Sequence, residues 1–387
     1  MTLKRNSKLF LVLFLGTLSA FGPFVTDLYL PALPTMSSYF NSSTSTIQLT
    51  LTGSMVGLAL GQLLIGPISD KYGRKNPLII SLIVYLISTI AIIIFPNVYA
   101  MIALRFIQGV SSAGAVVISR AISTDLYHGR ELAAFFALLM AVNGLAPILS
   151  PILGSLLLGL TDWRGIFVTL ALIGVILLAI SFKFNESLAV EKRLDLPITK
   201  TYYSIVHVAK NRLFFALVII QGFALAAMFA YIAASPFILQ THYSLSPLMY
   251  SLCFGLNGFA IVLGSKNAGN FKEKISIKLG LSLMLLVSIY LAMALTLTLP
   301  FLFIEVGFFL LLLGLGFILP TGSAIAMSLE RERAGSASAF FGFVPFFLGG
   351  VVSPLVGIGN IFHSSAIAIV ICSTISFITF KLVEKKI

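Results

Sequence analysis

The chain consists of long apolar stretches separated by short charged segments, and each stretch is long enough to cross a lipid bilayer. A helix that spans the hydrocarbon core needs about 20 mostly apolar residues. Because lipid cannot hydrogen-bond to a peptide backbone, each stretch is predicted to be an α-helix. We number twelve predicted spans in chain order: 9–33, 47–68, 78–95, 99–120, 132–158, 165–182, 212–237, 247–264, 276–298, 301–325, 335–357 and 365–381.

The composition excludes several other classes of protein. Hydrophobic residues make up 58% of the 387 residues, which is more apolar surface than a soluble domain of this size can bury. The net charge of +12 comes from Lys and Arg in short loops, with no basic stripe among aromatics, so we expect no nucleic-acid partner. Cys253 and Cys372 lie inside apolar runs and have no metal-ligand spacing. We therefore expect neither a metal nor a cofactor.

Lys and Arg are distributed unevenly between the two sides of the predicted spans. If the spans alternate in direction, 23 of the 25 Lys and Arg residues lie on the side of the N-terminus. Arg164 lies on the opposite side, and Arg105 lies inside span 4. Positive residues are retained on the cytoplasmic side of a membrane. The sequence thus predicts an even number of spans, both termini in the cytoplasm, and an uncleaved first span.

The longest polar segment lies between spans 6 and 7 and divides the chain into halves. We predict an N-terminal six-helix bundle at 1–182, a cytoplasmic central loop at 183–211 and a C-terminal six-helix bundle at 212–387. Pro31 in span 1 has a possible counterpart in Pro236 of span 7. This match favours a structural pseudo-repeat of the kind found in many transporters.

Three ionisable residues lie well inside spans: Asp27, Arg105 and Glu305. Such a charge costs roughly 2.5–3.5 kcal/mol at the bilayer centre, so it needs a partner, water or a function. Asp27 and Arg105 are both expected roughly 9 Å below the outer surface and could pair. Asp27 is predicted to exchange a proton as its surroundings alternate between buried and wet; a static ion pair, or a side chain that reaches out to the interface, is the alternative. Arg105 is predicted either to take part in substrate or proton coupling or to have a purely structural role. For Glu305 we expect the side chain to reach out to the headgroups.

Glycines and prolines mark close packing and kinks in two spans. The glycines of segment 53–61 in span 2 are four residues apart, which lets another helix approach closely. Span 5 contains Pro147, Pro151 and Gly154. Each proline removes a helical hydrogen bond and favours a kink. These residues are predicted either to take part in gating or to serve packing alone.

The loop between spans 2 and 3 reads GPISDKYGRK at 66–75. It resembles the G-x-x-x-D-[RK]-x-G-R-[RK] loop that the major facilitator superfamily carries at the same place. The resemblance implies the major facilitator fold, an all-α membrane protein with 12 transmembrane helices in two six-helix bundles. The matching residues are Gly66, Asp70, Lys71, Gly73, Arg74 and Lys75.

A physical role for this loop follows from its residue types. Gly73 allows a tight turn. Asp70 can lie at the N-terminus of span 11, which the resemblance makes its neighbour and whose dipole favours an anion. Arg74 can pair with an acid such as Asp125. We predict a cytoplasmic latch made by these residues; the alternative is that the charges only set topology.

Four further stretches resemble the Bcr/CflA branch of drug/proton antiporters: TDLYLPALP at 26–34, RFIQG at 105–109, GLAPILSPILG at 144–154 and AGSASA at 334–339. The resemblance implies export of small, often amphipathic compounds in exchange for protons across a bacterial inner membrane. Asp27 then matches the membrane acid of span 1, and Arg105 the arginine of span 4. The chain departs from the branch at Thr124, where relatives commonly have Arg, and at Ser19, where some have a second acid. These departures leave the proton stoichiometry open.

The expected mechanism is alternating access by a monomer around a central cavity. A greasy, adaptable pocket for a small molecule is rich in Met and aromatic residues. With Asp27 and Arg105, the predicted cavity residues are Met140, Asn143, Gln221, Met228, Tyr231 and Asn257.

Two other kinds of function compete with drug export. One is a proton-coupled importer, or an exporter of a specific metabolite such as a siderophore. The other is a membrane enzyme or receptor. The spans contain no Ser/His/Asp set, H-E-x-x-H motif or paired acids, which argues against an enzyme. No sizeable soluble domain is visible that could pass on a signal, which argues against a receptor.

Overall fold

The computed structural model describes residues 7–193, 198–330 and 333–386, and the regular structure in these ranges is helical. Twelve segments of the described chain are long and apolar enough to cross a membrane, which confirms the predicted number of spans. The helices are α1 (Lys8–Asp27), α2 (Leu33–Tyr39), α3 (Thr44–Tyr72), α4 (Lys75–Ile94), α5 (Val98–Leu126), α6 (Gly129–Leu158), α7 (Trp163–Lys183), α8 (Ile198–Ala209), α9 (Arg212–Pro236), α10 (Pro247–Ala268), α11 (Glu273–Thr296), α12 (Phe301–Leu329), α13 (Ala334–Leu355) and α14 (Ile361–Val383).

Short polar residues fix where several of these helices begin. A helix leaves its first backbone N–H groups without partners, and a preceding Asn, Asp or Ser side chain can accept from them. Asn97 accepts from the backbone of residues 99 and 100 at the start of α5. The side chains of Asp162, Asn211, Ser246 and Asn360 cap α7, α9, α10 and α14 in the same way.

Span 1 is broken in the structure, whereas the sequence predicted one helix to residue 33. Helix α1 ends at Asp27, a short 3₁₀ turn covers Leu30–Ala32, and α2 follows. Pro31 and Pro34 explain the break because proline lacks an N–H group and disfavours helical backbone in the preceding residue. Asp27 therefore lies at the end of a helix, and not one turn or more inside it.

Two compact units make up the chain. Unit 1 comprises Met1–Leu30 and Gly53–Thr201, and unit 2 comprises Pro31–Thr52 and Tyr202–Ile387. Helix α3 contributes to both units. Its first part belongs to unit 2, where Gln48 Nε2 donates to Ala233 O (2.9 Å) and Thr52 Oγ1 donates to Gly350 O (2.9 Å).

Glycines bring one pair of helices close together in each unit. In unit 1, a Cβ atom at Gly57 would lie 2.2 Å from the carbonyl oxygen of Phe106, so α3 and α5 touch backbone to backbone. In unit 2, a Cβ at Gly264 would lie 2.3 Å from Leu313 O, so α10 and α12 do the same. The close packing predicted for the span 2 glycines is present, and unit 2 repeats it between the corresponding helices.

Candidate functional site

Asp27 is the last residue of α1 and is 9% exposed. It lies within the first membrane-spanning segment, Leu9–Tyr39. The positive charge of Arg105 on α5 acts on its carboxylate. An acid buried at this depth has to be compensated by a charge, a proton or water.

Arg105 is fully buried and holds several elements of unit 1 together. Its guanidinium donates to Val25 O (3.0 Å), Gln108 Oε1 (2.6 Å) and Ser54 Oγ (3.0 Å). The ring of Tyr29 lies 4.2 Å from the guanidinium carbon, a cation–π distance. The last carbonyl groups of a helix need partners outside it. By binding Val25 O, Arg105 fixes the end of α1 that carries Asp27.

The structure therefore gives Arg105 a different set of contacts from the predicted one. It binds neutral oxygens and an aromatic ring while acting on Asp27 through its charge, and a direct ion pair with Asp27 stays a prediction. Sequence reasoning missed Gln108, although it lies in the RFIQG motif. Residues three apart share a helix face, and this spacing could have indicated that Gln108 accompanies Arg105.

Helix α6 passes directly against the chain after Asp27. A Cβ atom at Gly154 would lie 1.9 Å from Leu28 O, whereas one at Gly144 would meet nothing within 4 Å. The helix continues through Pro147 and Pro151. Gly154 thus has a packing role beside the acid, and the predicted gating role of the two prolines stays a prediction.

Asn143 lies on the same helix, half-buried. Its Nδ2 donates to Ser19 Oγ on α1 and to Leu139 O (3.0 Å). The resemblance places the second acid of some relatives at Ser19, and in this structure an amide–hydroxyl contact occupies that place. The side chain of Met140, another predicted cavity residue, lies outside the described part of the chain.

A second polar cluster lies in unit 2. Asn257 Nδ2 on α10 donates to Tyr231 Oη on α9 (3.0 Å) and to Glu305 Oε1 on α12 (2.9 Å). Glu305 is 5% exposed, so the expectation that it reaches the headgroups is wrong. Its face of α12 turns toward α9 and α10. Hydropathy along the chain does not reveal that orientation.

The other predicted cavity residues of unit 2 lie on α9. Gln221 and Ser323 are hydrogen-bonded through their side chains (3.3 Å), and Met228 is half-buried. Tyr231 and Asn257 are fully enclosed by protein. A substrate would reach these two only after neighbouring side chains move, so their cavity role stays a prediction.

Arg74, in the loop between α3 and α4, is 5% exposed and binds two carboxylates. Its Nε and Nη2 donate to the two oxygens of Asp125 (2.9 and 3.2 Å), and its Nη1 donates to Asp70 Oδ1 (2.5 Å). Burial disfavours the charged guanidinium, but the hydrogen bonds and charges of Asp125 and Asp70 outweigh it and raise the pKa of Arg74. The predicted pairing of Arg74 with Asp125 is present.

Glu186 completes this loop and was missed from sequence. Its carboxylate accepts from the backbone N–H groups of Arg74 (2.9 Å) and Lys75 (3.1 Å), where the start of α4 favours an anion. Gly73 has a φ of +87°, and a Cβ there would lie 2.5 Å from Glu186 Oε2. Only glycine suits both the turn and the carboxylate. The sequence predicts an acid at a helix start for this loop, but the predicted residue is Asp70 and the predicted helix is span 11.

The remaining residues of the loop are less constrained. Lys75 Nζ donates to Phe182 O (2.8 Å), and the Lys71 ammonium lies 5.7 Å from the ring of Tyr72. The nearest neighbour of a Cβ at Gly66 would be 3.7 Å away. Asp70 is about half exposed, and its predicted place at the start of span 11 stays a prediction.

Comparison with known proteins agrees with this architecture. Residues 9–354 match the family described as the Major Facilitator Superfamily. The chain is 36% identical over 362 residues to the uncharacterized MFS-type transporter YdgK of Bacillus subtilis (strain 168), covering 92% of this chain and 90% of YdgK. It is 27% identical to the bicyclomycin resistance protein homolog of Haemophilus influenzae, covering 70% of this chain and 69% of that protein.

A solved structure shows the same fold. It is a bacterial homolog of the human lysosomal transporter Spinster in an inward-facing, occupied conformation, with a TM-score of 0.76, 15% sequence identity, and 98% of each chain covered. Twelve membrane-spanning helices, the matched family region and the relatives all agree. The chain therefore belongs to the Major Facilitator Superfamily of membrane transporters, and is not an enzyme.

Proposed function

We propose that this transporter exports small, drug-like amphipathic compounds in exchange for protons, across a bacterial inner membrane with both termini in the cytoplasm. The observation that carries the proposal is Asp27, an acid enclosed within a membrane-spanning segment, two residues along the chain from the carbonyl group that buried Arg105 binds. A relative named for bicyclomycin resistance supports the substrate class.

In this mechanism a substrate cavity opens alternately to the two sides of the membrane. Asp27 takes up a proton from the outer side, which favours release of the exported compound. When the site faces the cytoplasm, binding of the next compound favours loss of that proton. Arg105 keeps the end of α1 in place throughout because it holds Val25 O.

The loop between α3 and α4 is the proposed cytoplasmic latch. Arg74, Asp125 and Glu186 make it a rigid corner of unit 1, from which half-exposed Asp70 can engage a partner in one conformation and release it in the other. Such a switch has to be weak enough to open during each cycle.

Transport by inside-out membrane vesicles tests the proposal. With an acidified lumen, wild-type vesicles should accumulate ethidium, chloramphenicol or bicyclomycin and should stop when the pH gradient is collapsed. Asp27→Asn should insert normally and lose the gradient-driven uptake. Asp162→Asn is the matched control because Asp162 lies exposed at the start of α7 and asparagine can still cap that helix.

Each result of the vesicle assay that differs from the expected one would overturn a specific part of the proposal. Full gradient-driven uptake by Asp27→Asn would overturn the assignment of the proton site. Absence of uptake and of added resistance for every compound in a broad drug panel would overturn the drug-export proposal. It would favour the alternative of a specific metabolite transporter. Accumulation that needs the opposite gradient would make the protein an importer.

A further inference from the structure

A second acid lies enclosed in unit 2, on the opposite half of the chain from Asp27. Glu305 is the fifth residue of α12, and α10 and α9 pack over its side chain. Tyr231, Phe254 and Phe308 surround this place, with the Tyr231 ring 4.7 Å from that of Phe308 and 5.9 Å from that of Phe254. An apolar, aromatic surrounding offers an ionised carboxylate no compensation for its lost hydration.

Two buried oxygen atoms at the contact between Glu305 and Asn257 lack hydrogen-bond partners among the described residues. Oε1 accepts from Asn257 Nδ2 (2.9 Å). Within the described ranges, Glu305 Oε2 and Asn257 Oδ1 are buried and have no hydrogen-bond partner. Both atoms are acceptors when the carboxyl is ionised, so neither can satisfy the other.

The charged and titratable groups around Glu305 do not neutralise it. The ion pairs of the described residues do not include Glu305. The titratable groups on its side of the neighbouring helices are Tyr231 on α9, Tyr250 and Cys253 on α10, and Tyr290 on α11, whose hydroxyl donates to Phe303 O. Helix α13 carries no titratable side chain. All four neighbours are neutral groups at ordinary pH.

We propose that Glu305 is a second proton-binding site of this transporter, loaded when it is closed in with Asn257 and emptied when water reaches it during the cycle. A proton on Oε2 turns that atom into a donor, and Asn257 Oδ1 is an acceptor in need of one. In the proposed loaded state, a bond from Oε2 to Oδ1 and the observed Nδ2–H···Oε1 bond form a cyclic carboxylic acid–amide pair. The proton removes the buried charge and supplies the missing hydrogen bond at once.

The inference deepens the proposed function, on which its transport consequence rests. If Asp27 and Glu305 each carry one proton per cycle, export of an uncharged compound moves two charges across the membrane. Loss of Glu305 leaves one. The contributions of the membrane potential and of the pH gradient to the driving force then both fall by half, and the remaining proton is carried by Asp27.

Infrared spectroscopy of the purified full-length protein tests proton binding without any substrate. A protonated carboxylic acid has a C=O stretch that an ionised carboxylate lacks. We expect a band that titrates with pH, is absent from Glu305→Gln and is present in Asp27→Asn. Glu330→Gln, at the other end of α12, is the matched control because Glu330 lies in an ion pair with Arg333 (3.9 Å) and far along the helix from Glu305.

A second variant keeps this test valid if Glu305→Gln folds poorly. Asn257→Ala removes the donor to Oε1, so the band should remain but move to higher frequency, as it does when a C=O group loses a hydrogen bond. A spectrum that is the same in wild type, Glu305→Gln and Asn257→Ala would overturn the proposal. That result would leave the role of Asp27 untouched, since Asp27 is judged by its own variant.

The transport consequence is measured as the proton-to-drug ratio for chloramphenicol, which is uncharged, in proteoliposomes. We expect a fall from two to one in Glu305→Gln, with uptake driven by the pH gradient retained. An unchanged ratio would overturn the coupling role of Glu305. Loss of all gradient-driven uptake in Asp27→Asn but not in Glu305→Gln would still support the function proposed above.

Discussion

The two units place polar groups at matching positions but use them differently. Asp27 and Tyr231 are each the twentieth residue of α1 and α9, and Ser54 and Asn257 are each the eleventh residue of α3 and α10. Ser54 binds a buried cation, Arg105, whereas Asn257 binds a buried acid, Glu305. One packing scheme, closed by glycines in both units, can therefore enclose a basic side chain in one unit and an acidic side chain in the other.

The two clusters also differ in how completely they are satisfied. Arg105 has several oxygen partners and a ring beside it, while Glu305 leaves one oxygen without a partner. A satisfied buried network contributes rigidity, and an unsatisfied one has the capacity to change state. We infer that the unit 1 cation holds structure and that the unit 2 acid is the group free to titrate.

Replacing Arg105 and Glu305 by neutral residues should give the largest difference in stability between the two units. Arg105→Met removes the donor from Val25 O, Gln108 and Ser54, and is expected to cost about 3 kcal/mol or more of stability. Glu305→Gln keeps an acceptor for Asn257 and should cost less than about 1 kcal/mol. Thermal unfolding in detergent measures both. Equal losses would contradict the division of roles between the units.

A methyl group beside Asp27 should have the next largest effect. Gly154→Ala forces its Cβ against Leu28 O and should cost about 1–3 kcal/mol, with a loss of proton-driven uptake as α1 shifts. Gly144→Ala meets open space and should stay within about 0.5 kcal/mol of wild type. If both variants behave alike, contact between α6 and the end of α1 does not matter for the site.

A substitution in the latch of unit 1 should lower the stability by a smaller amount, but by more than the corresponding substitution in unit 2. Asp125→Asn weakens the bidentate contact with buried Arg74 and should lower stability by about 1–2 kcal/mol. The pKa of Arg74 is raised, so the stabilisation tied to its charge is fully present at neutral pH and is lost only as pH rises through that raised pKa. The difference between wild type and Asp125→Asn should therefore stay constant across neutral pH, and a marked change there would contradict a permanently charged Arg74.

The smallest effect on stability is expected in unit 2 at Glu384, which lies among basic residues near the C-terminus. Glu384 lies on the surface between Lys381 (2.9 Å) and Lys278 (3.5 Å), and the hydrogen bond from Lys381 lowers its pKa. Its stabilisation is present at neutral pH and is lost as pH falls through that lowered pKa. Glu384→Gln should barely change the melting temperature, and any difference should vanish in acid. A loss of stability in Glu384→Gln as large as that in Asp125→Asn would show that the buried ion pair of unit 1 stabilises no more than the surface ion pair of unit 2.

Hydropathy was sufficient for the number of spans because membrane helices must be long, apolar and internally hydrogen-bonded. The pairing of Arg74 with Asp125 was also predictable, since a charged residue in a short loop has few possible partners. The break after Asp27 could have been found from Pro31 and Pro34, whose spacing disfavours a continuous helix.

The side-chain neighbours were not predictable to the same degree. A uniformly apolar helix carries little signal about which face meets protein, so Glu305 was wrongly expected at the headgroups. Glu186 was missed because it lies more than a hundred residues from the loop it binds. Such contacts depend on how helices pack, and one sequence read along its length does not contain that distance information.

Trp163, at the start of α7, is the single tryptophan of the sequence. Its ring lies 5.9 Å from that of Phe167, which in turn lies 5.8 Å from the guanidinium carbon of Arg105. Indole fluorescence from this protein thus originates beside the first acid's cluster and nowhere else. A change in tryptophan emission on adding a compound would therefore report a change near Arg105. The surroundings of Glu305 contain no tryptophan and would not contribute to that signal.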